Sequence, residues 1–561
     1  MNNLQNEKPC LEQAKQGFSV TYKNKYLYSK YNPQQTIEKL ISEFKIQENN
    51  LVIINSPVLF YGIDLLIKKL PQNSIILAIE HDKNLYDFSI NCSESNIKKI
   101  QNNLSNFIYL NLQTENEILT LFSNKKFINK IRCCKRVSKI NLSAIINEYE
   151  IFYQNIFTYF TNYISQFWKN RITLTKLGKL YSKNIFLNLA NINKSKNLVY
   201  NSIDKPIIVF GAGPSLDDTV KEFHNNKIDY NDFFIICVDS ALKPLLSYGI
   251  IPNVVVAVES QLANEKAFIG TKKIDYLLIA DLTSRPNINN YHKNNIAYIF
   301  TEFCNSNFLD SILKLNLPVK KFIPLGSVGL YAIELAINFR KENSPIYFTG
   351  LDFAYTIENT HCKGAPSTNT KKINSNRIKS LINVLPAYKT GTSKFELYGS
   401  NIFTDKILFN YANQFIELFH NVKNLYNLSE KSIFNLLEFN SHKIQTIKPI
   451  EIKNKLKNKN HTDKTEKINF YNNVDKELKF KIKNFILNEI NSLNELKENL
   501  STGKTNIEKI KQEIDLHDYL FLHFPDGYND AKTDISFLKR VRNEIDFFLK
   551  ILNRSLNQLE E

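Results

Sequence analysis

The chain has 561 residues, too many for one ordinary hydrophobic core, and its 43% hydrophobic and 23% charged residues exclude a disordered protein. The net charge of +17 would favour a nucleic acid as partner, but lysine is enriched along the whole chain and no RNA- or DNA-binding signature accompanies it. We therefore predict roughly two to four domains and no nucleic-acid partner.

The N-terminal residues 1–13 are polar and lack the apolar stretch of a signal peptide. No apolar run approaches the roughly 20 residues that a membrane-spanning helix needs. The 7 cysteines show no metal-ligand spacing and are an odd number, which favours reduced thiols. These features predict a cytoplasmic protein with no membrane span.

Residues 1–114 are predicted to form a small α/β domain. The segment 51–54 is a strand candidate, a helical pattern runs from Gly62 to Leu70, and a second strand at 75–79 ends at Glu80. A strand, a helix and a strand that ends in an acid resemble half of a nucleotide-binding fold, in which the acid binds a ribose. The loop after the first strand lacks the glycines that admit a pyrophosphate, so we interpret this domain as a scaffold.

Residues 115–202 follow a helical pattern and contain the only tryptophan, Trp168. Apolar residues recur there at the spacing of an amphipathic helix. We predict a helical bridge that packs against the central domain. The polar side of such a helix would still be able to reach a cleft in that domain.

Residues 203–375 contain short apolar runs separated by helical segments. The runs lie at 207–210, 233–238, 254–258, 276–280, 322–323 and 346–348. This alternation predicts an α/β domain with a doubly wound, mostly parallel, Rossmann-like sheet. The predicted strand ends carry glycine, serine or acidic residues: Gly211, Asp239, Ser240, Glu259, Asp281, Ser327 and Asp352. Ligands bind outside the carboxyl ends of the strands in such sheets, so we predict a ligand site along this rim.

The segment Gly211-Ala212-Gly213-Pro214-Ser215-Leu216 follows the first of these strands and begins a helical pattern. Leu216 stands at the third glycine of the dinucleotide fingerprint, and no Gly-Lys-Ser/Thr of a P-loop follows. Ser215 and Asp218 predict a capping box, and the free N–H groups at the helix start predict a phosphate site. Together with Asp239 at the next strand end, the segment favours nucleotide binding over a structural turn.

Asp239 and Glu259 end neighbouring predicted strands. Either carboxylate is able to bind a ribose hydroxyl, a Mg²⁺ ion on a pyrophosphate or a basic group of a substrate, or simply to cap the following helix. We predict a functional role for both, and they are the candidate metal ligands. His361 lies in a polar loop beyond the strand end that carries Asp352, as a candidate general acid or base or as an ordinary loop histidine.

The rest of the chain is predicted to form an α/β-to-helical extension at 376–447 and a helical domain at 448–561. A helix is predicted through Phe409–Phe419, and helical periodicity returns at 475–560 after a segment rich in lysine, asparagine and glutamate. The terminal helices would dock a partner or close over the cleft, and both roles remain open.

Several motifs occur in the order found in one protein family: Tyr28–Pro33, Trp168–Arg171, Gly211–Leu216, Gly249–Asn253, Gly326–Gly329 and Gly350–His361. On these motifs the chain resembles the Maf (motility accessory factor) family over about residues 20–430. That family shares its central domain with the archaeal 6-hydroxymethylpterin diphosphokinase MptE. The resemblance therefore implies an MptE-like nucleotide-binding domain at 203–375.

The resemblance implies a nucleotide-dependent transferase that moves a nonulosonic acid from a CMP-type nucleotide sugar to serine or threonine of flagellin or another flagellar protein. It implies no covalent cofactor and leaves Mg²⁺ open. It implies nucleotide-binding roles for Gly211, Ala212, Gly213, Pro214, Ser215, Asp239, Ser240 and Ser327. The catalytic candidates are His361, Asp352 and Glu259. Related sialyltransferases favour asparagine where this chain has Ala212 and Asp239.

Two further functions remain as alternatives. An ATP-dependent 6-hydroxymethylpterin diphosphokinase would need Mg²⁺ held by Asp239, Glu259 or Asp352. A non-catalytic flagellar assembly factor would keep the cleft without using it for chemistry. The length of the chain and its terminal domains favour the glycosyltransferase over the kinase, because a small-molecule kinase needs neither.

Overall fold

In the computed structural model the chain forms two compact units. The first comprises Met1–Lys176 and Leu522–Asp530, and the second comprises Leu177–Phe521 and Ala531–Glu561. The structure describes residues 8–92, 106–291, 295–357, 359–378, 385–438, 442–457, 470–473, 477–502, 506–527 and 531–560. Among these residues, no helix combines the length and the apolar character that a membrane crossing requires.

The first unit is built on a parallel sheet. Its strands are β1 (Cys10–Gln13), β2 (Phe18–Tyr22), β3 (Lys25–Tyr26), β4 (Asn50–Asn55), β5 (Ile75–Glu80), β6 (Phe107–Asn111) and β7 (Arg136–Asn141). Strands β1–β3 form a small antiparallel sheet, and the others form a parallel sheet in the order β6-β5-β4-β7. Every residue of β4 and β5 is buried, as expected of parallel strands that are covered on both faces. The helices are α1 (Pro33–Glu43), α2 (Ile63–Lys68), α3 (Glu115–Ser123), α4 (Lys125–Ile131) and the part of α5 (Glu150–Leu189) up to Lys176.

Strand β7 corrects the predicted boundary between the N-terminal domain and the helical bridge. Residues 136–141 were expected within the bridge, but they pair with β4 and extend the N-terminal sheet beyond residue 114. Arg136, Ser138 and Lys139 make β7 a polar edge strand, so no apolar run marked it in the sequence. The helical character predicted for the bridge is found in α3, α4 and α5.

A late segment of the chain returns to the first unit. The guanidinium of Arg171, which is 5% exposed, donates a hydrogen bond to Leu522 O at 2.7 Å and another to Phe524 O. Hydrogen bonds from a charged donor to buried carbonyl oxygens are among the stronger ones in proteins. The first unit is therefore completed by residues that lie far along the sequence.

The second unit contains the large sheet predicted for the central domain. Its strands are β8 (Lys196–Leu198), β9 (Ile207–Phe210), β10 (Phe234–Val238), β11 (Val254–Ala257), β12 (Leu277–Asp281), β13 (Ile296–Thr301), β14 (Lys320–Phe322), β15 (Ile346–Thr349), β16 (Thr392–Leu397), β17 (Ser400–Asp405), β18 (Leu425–Asn427), β19 (Gln445–Thr446) and β20 (Tyr471–Asn473). Strands β16 and β17 form a separate hairpin. The predicted α/β fold with a mostly parallel sheet is confirmed.

The order of the strands reverses at β9. The main path of the sheet is β19-β18-β15-β9-β10-β11-β12-β13-β8-β20, with β14 beside β13. From β9 the chain builds the sheet through β10 to β13 in one direction, and later through β15, β18 and β19 in the other. A reversal of this kind is the topological switch point of a doubly wound sheet.

The helices of the second unit include those expected between the strands. They are α6 (Ser215–Asn225), α7 (Asp239–Ser247), α8 (Glu265–Phe268), α9 (Asn307–Leu313), α10 (Val328–Phe339), α11 (Pro366–Ile373), α12 (Lys406–Phe419), α13 (Pro449–Lys457), α14 (Glu477–Thr502), α15 (Ile507–Leu516) and α16 (Ile535–Glu560). The helical domain predicted at 448–561 is not separate from the sheet, because β20 pairs antiparallel with β8 and α14 to α16 belong to the same unit. A three-residue edge strand is too short to be recognised in the sequence.

Candidate functional site

The carboxyl ends of β9 and β15 lie side by side at the switch point. Phe210 pairs with Thr349 at the last position of the two strands. A switch point opens a crevice, because the chain leaves neighbouring strands toward opposite sides of the sheet. The loop after β9 and the segment Gly350–Asp352 after β15 therefore meet at this place.

Backbone hydrogen bonds join these two loops. Gly211 N–H donates to Thr349 O at 2.8 Å, and Gly213 N–H donates to Gly350 O at 2.7 Å. A Cβ atom on Gly211 would overlap Gly350 O, and one on Gly213 would lie 2.5 Å from Asp352 Oδ2. The contact between the loops therefore requires both glycines, and their N–H groups are not available to a phosphate.

The predicted capping box at Ser215 is wrong. Ser215 is the first residue of α6, and the N-cap residue, Pro214, makes no side-chain cap bond. Ser215 Oγ lies 3.2 Å from Thr349 Oγ1 and accepts the N–H of Gly350 at 2.9 Å. The Ser215 N–H donates to Asp352 Oδ2 at 3.0 Å. The hydroxyl and the N–H group of Ser215 therefore bond to residues distant in sequence and not to the first turn of α6, as a capping box would require.

Asp352 holds the start of α6 from the opposite loop. Its side chain is 4% exposed, and its Oδ2 atom accepts the Ser215 N–H. Its Oδ1 atom is buried and has no hydrogen-bond partner within the described residues. Burial raises the pKa of the Asp352 carboxyl above its ordinary value. A buried carboxyl with one unpaired oxygen is a candidate for binding a hydroxyl group or accepting a proton.

A cavity of about 990 Å³ opens beside the two loops and is called the large cavity below. The predicted site residues that line it are Ala212, Gly213, Ser240, Ser327, Asp352 and His361. Gly211 is buried and does not belong to the lining. Sites for small molecules and cofactors typically occupy about 300–1,000 Å³, so the large cavity has room for a nucleotide and an attached group.

A smaller cavity of about 220 Å³ adjoins the start of α6. Pro214 and Ser215 line it together with Asp352, Ala354 and Tyr355. The last three of these residues also line the large cavity. Asp352 therefore lines two adjoining cavities, and those predicted nucleotide-binding residues that line a cavity are divided between them.

The N-terminus of α10 is part of the wall of the large cavity. Ser327 is the N-cap residue, its Oγ accepts the Gly329 N–H at 3.2 Å, and Ser327, Val328 and Gly329 all line the cavity. A helix start carries N–H groups without intrahelical partners and the positive end of the helix dipole. Lys371 and Lys389 add two positive side chains to the lining. The large cavity is therefore suited to an anionic group such as a phosphate.

Part of the lining comes from residues that no motif marked. These residues lie at the base of the β16–β17 hairpin and at the start of α12: Tyr388, Lys389, Asp405, Ile407 and Tyr411. Asp405 is the N-cap of α12 and accepts the N–H groups of Ile407 and Leu408, both at 2.9 Å. No spacing in the sequence connects this segment to the strand ends, so only the tertiary structure brings it to the site.

His361 lines the large cavity from the loop that follows β15. Its Nδ1 atom lies 3.2 Å from Thr360 Oγ1. Burial and, to a smaller extent, the Lys371 ammonium lower the pKa of the imidazole below its ordinary value of 6.5. The ring is therefore neutral at pH 7 and able to accept a proton.

Cys362, beside His361, has a structural position. Its N–H donates to Ala212 O at 2.9 Å, which ties the His361 loop to the glycine loop. The side chain is fully buried, and burial raises the pKa of the thiol well above its ordinary value. A thiol in this environment is a poor nucleophile, because the thiolate is the reactive form.

Asp239 and Glu259 do not belong to the lining of either cavity. Asp239 is the first residue of α7, is 7% exposed, and accepts the Ser240 N–H on Oδ1 at 2.6 Å. Burial raises the pKa of Asp239 from 3.8 to about 6. Glu259 Oε1 accepts the Gln261 N–H at 3.1 Å. Within the part of the chain that the structure describes, no three His, Cys, Asp or Glu side chains are grouped to hold a metal ion, and the Mg²⁺ roles of these two acids stay predictions.

Glu80 of the first unit, at the end of β5, is engaged in internal hydrogen bonds. Ser56 Oγ donates to Glu80 Oε2 at 2.7 Å, and Tyr153 OH donates to Oε1 at 3.3 Å. The Asp82 N–H donates to the same Oε1 atom at 3.2 Å. Burial raises the pKa of Glu80 from 4.5 to about 7. These bonds occupy the carboxylate that a ribose would need, in keeping with the interpretation of this sheet as a scaffold.

Comparison with known proteins relates part of the second unit to one family and nearly the whole chain to two further proteins. Residues 183–358 match the family described as "6-hydroxymethylpterin diphosphokinase MptE-like". A protein of Treponema pallidum (strain Nichols), described as "Uncharacterized protein", is 30% identical over 568 residues, which cover 98% of this chain and 96% of that protein. The solved structure of the MAf glycosyltransferase from Magnetospirillum magneticum AMB-1 has a similar fold, with a TM-score of 0.55 at 12% identity over 99% of this chain and 91% of that one.

Proposed function

Because the chain belongs to the Maf-like family with an MptE-like domain, we propose that it is a glycosyltransferase. In this proposal the donor is a CMP-type nucleotide sugar that carries a nonulosonic acid. The acceptor is a serine or threonine hydroxyl of flagellin or another flagellar protein. The reaction takes place in the cytoplasm, where the cysteines would remain thiols.

The observation that carries the proposal is the large cavity at the switch point of the sheet. Its walls bring the glycine loop, the start of α10, His361 and two lysines to one space of about 990 Å³. A nucleoside monophosphate sugar needs room for a base, a ribose, one phosphate and a sugar ring, and the volume of the large cavity is sufficient for these parts. The positive side chains and the helix start match the anionic phosphate.

The walls of the large cavity supply distinct functions for the transfer. The hydroxyl of Ser327 and the N-terminus of α10 would bind the phosphate and stabilise the negative charge that grows on it as the bond to the sugar breaks. Lys371 and Lys389 would add electrostatic attraction for the same group. Asp352 acts as a positioning residue through its bond to the Ser215 N–H.

His361 is the candidate general base. The acceptor hydroxyl oxygen attacks the anomeric carbon of the sugar, and the bond from that carbon to the phosphate oxygen breaks. CMP leaves with the electron pair of this bond, while the hydroxyl proton passes to the imidazole. A neutral ring is required for this step, and the lowered pKa of His361 provides it at pH 7.

Transfer of diphosphate from ATP to a hydroxymethylpterin is the second candidate, because residues 183–358 match a family described by that activity. Such a reaction needs Mg²⁺ ions that bridge the phosphates and carboxylates that hold them. Asp239 is buried, accepts a hydrogen bond from its own helix, and does not line the large cavity. Two of the three candidate carboxylates, Asp239 and Glu259, therefore lie away from the large cavity, which favours the glycosyltransferase.

The test uses the purified full-length chain. Thermal unfolding is measured with CMP, UDP, GDP and ATP with Mg²⁺, since a ligand that binds the native state stabilises it by about 2.7 kcal/mol at a hundredfold excess over its Kd. We expect CMP to raise the Tm most. Incubation with a CMP-nonulosonic acid and flagellin should then increase the mass of intact flagellin, and the His361→Gln variant should bind CMP without transferring the sugar.

Two results would contradict the proposal. One is stabilisation by ATP with Mg²⁺ alone, together with AMP release that depends on hydroxymethylpterin, which would establish the kinase. The other is the absence of any nucleotide effect on the Tm, which would favour a non-catalytic assembly factor.

A further inference from the structure

The β16–β17 hairpin leaves one backbone edge open. Lys394 lies opposite Phe403 in the hairpin. Phe403 N–H donates to Tyr355 O, and Tyr355 N–H donates to Phe403 O, both at 2.8 Å. The two residues of an antiparallel pair direct their backbone groups either toward each other or away from each other. Since Phe403 directs its groups to Tyr355, the N–H and C=O groups of Lys394 point away from β17, and those of Glu396 do the same.

This outer edge of β16 is accessible. Ser393, Lys394 and Glu396 are exposed, and within the described ranges β16 pairs with β17 alone. An unpaired strand edge is a template for another extended chain. A chain that adds to such an edge gains affinity from main-chain hydrogen bonds, which do not depend on its side chains.

The base of the hairpin lies at the large cavity. Tyr388 and Lys389 precede β16, Asp405 ends β17, and Ile407 follows it, and all four line the large cavity. Tyr388 is 73% exposed and Ile407 is 60% exposed, so aromatic and aliphatic surface borders the opening. A strand that adds to β16 would therefore pass close to the cavity that we assign to the donor.

The segment of the chain that contains this edge has an excess of positive charge. The described residues from Lys363 to Lys406, both included, comprise seven lysines or arginines and only two acids, Glu396 and Asp405. Asp405 is already engaged as the N-cap of α12. Complementary charge speeds the encounter of two partners and selects between them. The edge is therefore matched to an acidic polypeptide rather than to a basic one.

We propose that the outer edge of β16 binds the acceptor protein as an added strand. The occupant is an extended, acidic segment that contains serine or threonine, and it places one hydroxyl at the mouth of the large cavity. This inference rests on the proposed function, since it assigns the acceptor to the same site. Recognition through the backbone would allow several hydroxyls in different sequence contexts to be modified.

The test measures binding of synthetic 12-residue peptides to the full-length chain by fluorescence anisotropy at low salt. One peptide contains serine, threonine, valine and aspartate, a second is the same peptide with alternate backbone nitrogens methylated, and a third has lysine in place of aspartate. Two variants are compared, Lys394→Pro and Lys394→Ala. Proline removes the outward N–H but no bond to β17, so the hairpin should persist, whereas alanine removes only the charge.

We expect the acidic peptide to bind, and both Lys394→Pro and N-methylation to weaken binding by about tenfold. Lys394→Ala should weaken it by only about two- to threefold, with a smaller salt dependence than the wild type shows. The N-methylated peptide keeps the test valid if the proline variant fails to fold. Equal affinity for the methylated and unmethylated peptides, absence of binding, or preference for the lysine peptide would overturn the inference.

Failure of this inference is distinguishable from failure of the proposed function. The CMP effect on the Tm is measured on the same proteins. A normal CMP effect with edge-independent peptide binding would refute the added strand and leave the glycosyltransferase in place. Edge-dependent peptide binding without any CMP effect would support the docking edge and refute the proposed donor.

Discussion

Asp239→Asn is expected to stabilise the second unit at neutral pH. Asp239 is 7% exposed, and burial raises the pKa of its carboxyl from 3.8 to about 6. Its Oδ1 atom accepts the Ser240 N–H at 2.6 Å, and asparagine keeps an oxygen for that bond. The substitution therefore removes the buried charge and preserves the contact at the start of α7.

The magnitude follows from the shift of this pKa. The difference between 3.8 and about 6 corresponds to about 3 kcal/mol, since each pKa unit is about 1.4 kcal/mol. The folded state binds the proton more tightly than the unfolded state, so the free energy of unfolding falls as the pH rises between these two values. The destabilisation of the folded state by the ionised Asp239 carboxylate begins near pH 3.8 and is complete above about pH 7.

The assay is urea denaturation of the full-length chain and of the Asp239→Asn variant at pH 4 and pH 8. The variant should be more stable by about 3 kcal/mol at pH 8 and by less than about 1 kcal/mol at pH 4. Asp275→Asn is the control, because Asp275 is an exposed aspartate in the same unit and should show no such gain. An Asp239→Asn variant that is less stable than the wild type at pH 8 would refute the reasoning.

Three further outcomes are expected. Gly213→Ala would place a Cβ atom 2.5 Å from Asp352 Oδ2 and should destabilise the second unit by about 1–3 kcal/mol; an unchanged urea midpoint would disprove the loop contact. His361→Gln should slow sugar transfer by about 10²–10⁴-fold. The transfer rate of the wild type should fall as the pH is lowered, with a midpoint below pH 6.5, because the pKa of His361 is lowered; a midpoint above pH 7 would argue against this base. Burial raises the pKa of Glu80 from 4.5 to about 7, so its carboxylate costs stability increasingly above pH 4.5. Glu80→Gln replaces one accepting oxygen by an N–H₂ group at both pH values, so relative to the wild type the variant should gain about 3 kcal/mol of stability between pH 4 and pH 8, and an unchanged difference between the two pH values would contradict the buried charge.

The sheet of the second unit was predictable because its strands are short, apolar and bounded by polar residues. The segments predicted at 207–210 and 346–348 are β9 and β15, and both lead into the site. Burial on both faces produces the continuous apolar runs that mark such strands. Strands β7 and β16 lacked this signal, because each is an exposed edge whose residues are mostly polar.

The contacts of the candidate site were less predictable than the elements that carry it. The pattern at Ser215 predicted a local cap, but the side chain bonds to Thr349 and Gly350 on another strand end. Sequence spacing describes neighbours along a helix or a strand, and it carries no information on which distant loops meet. For the same reason Lys371 and Lys389 were not predicted at the site, although both line the large cavity.

The way in which Arg171 is bound has a consequence for synthesis of the chain. Its buried guanidinium donates to carbonyl oxygens of Leu522 and Phe524, which a ribosome makes only after residues 177–521. At about 5–20 residues per second, roughly 20–70 s separate the emergence of the arginine from that of its acceptors. The first unit therefore lacks these two hydrogen bonds until the ribosome has translated residues 177–521 of the second unit. An expressed fragment that ends at residue 176 would lack these acceptors permanently, so fragment boundaries must include the late segment.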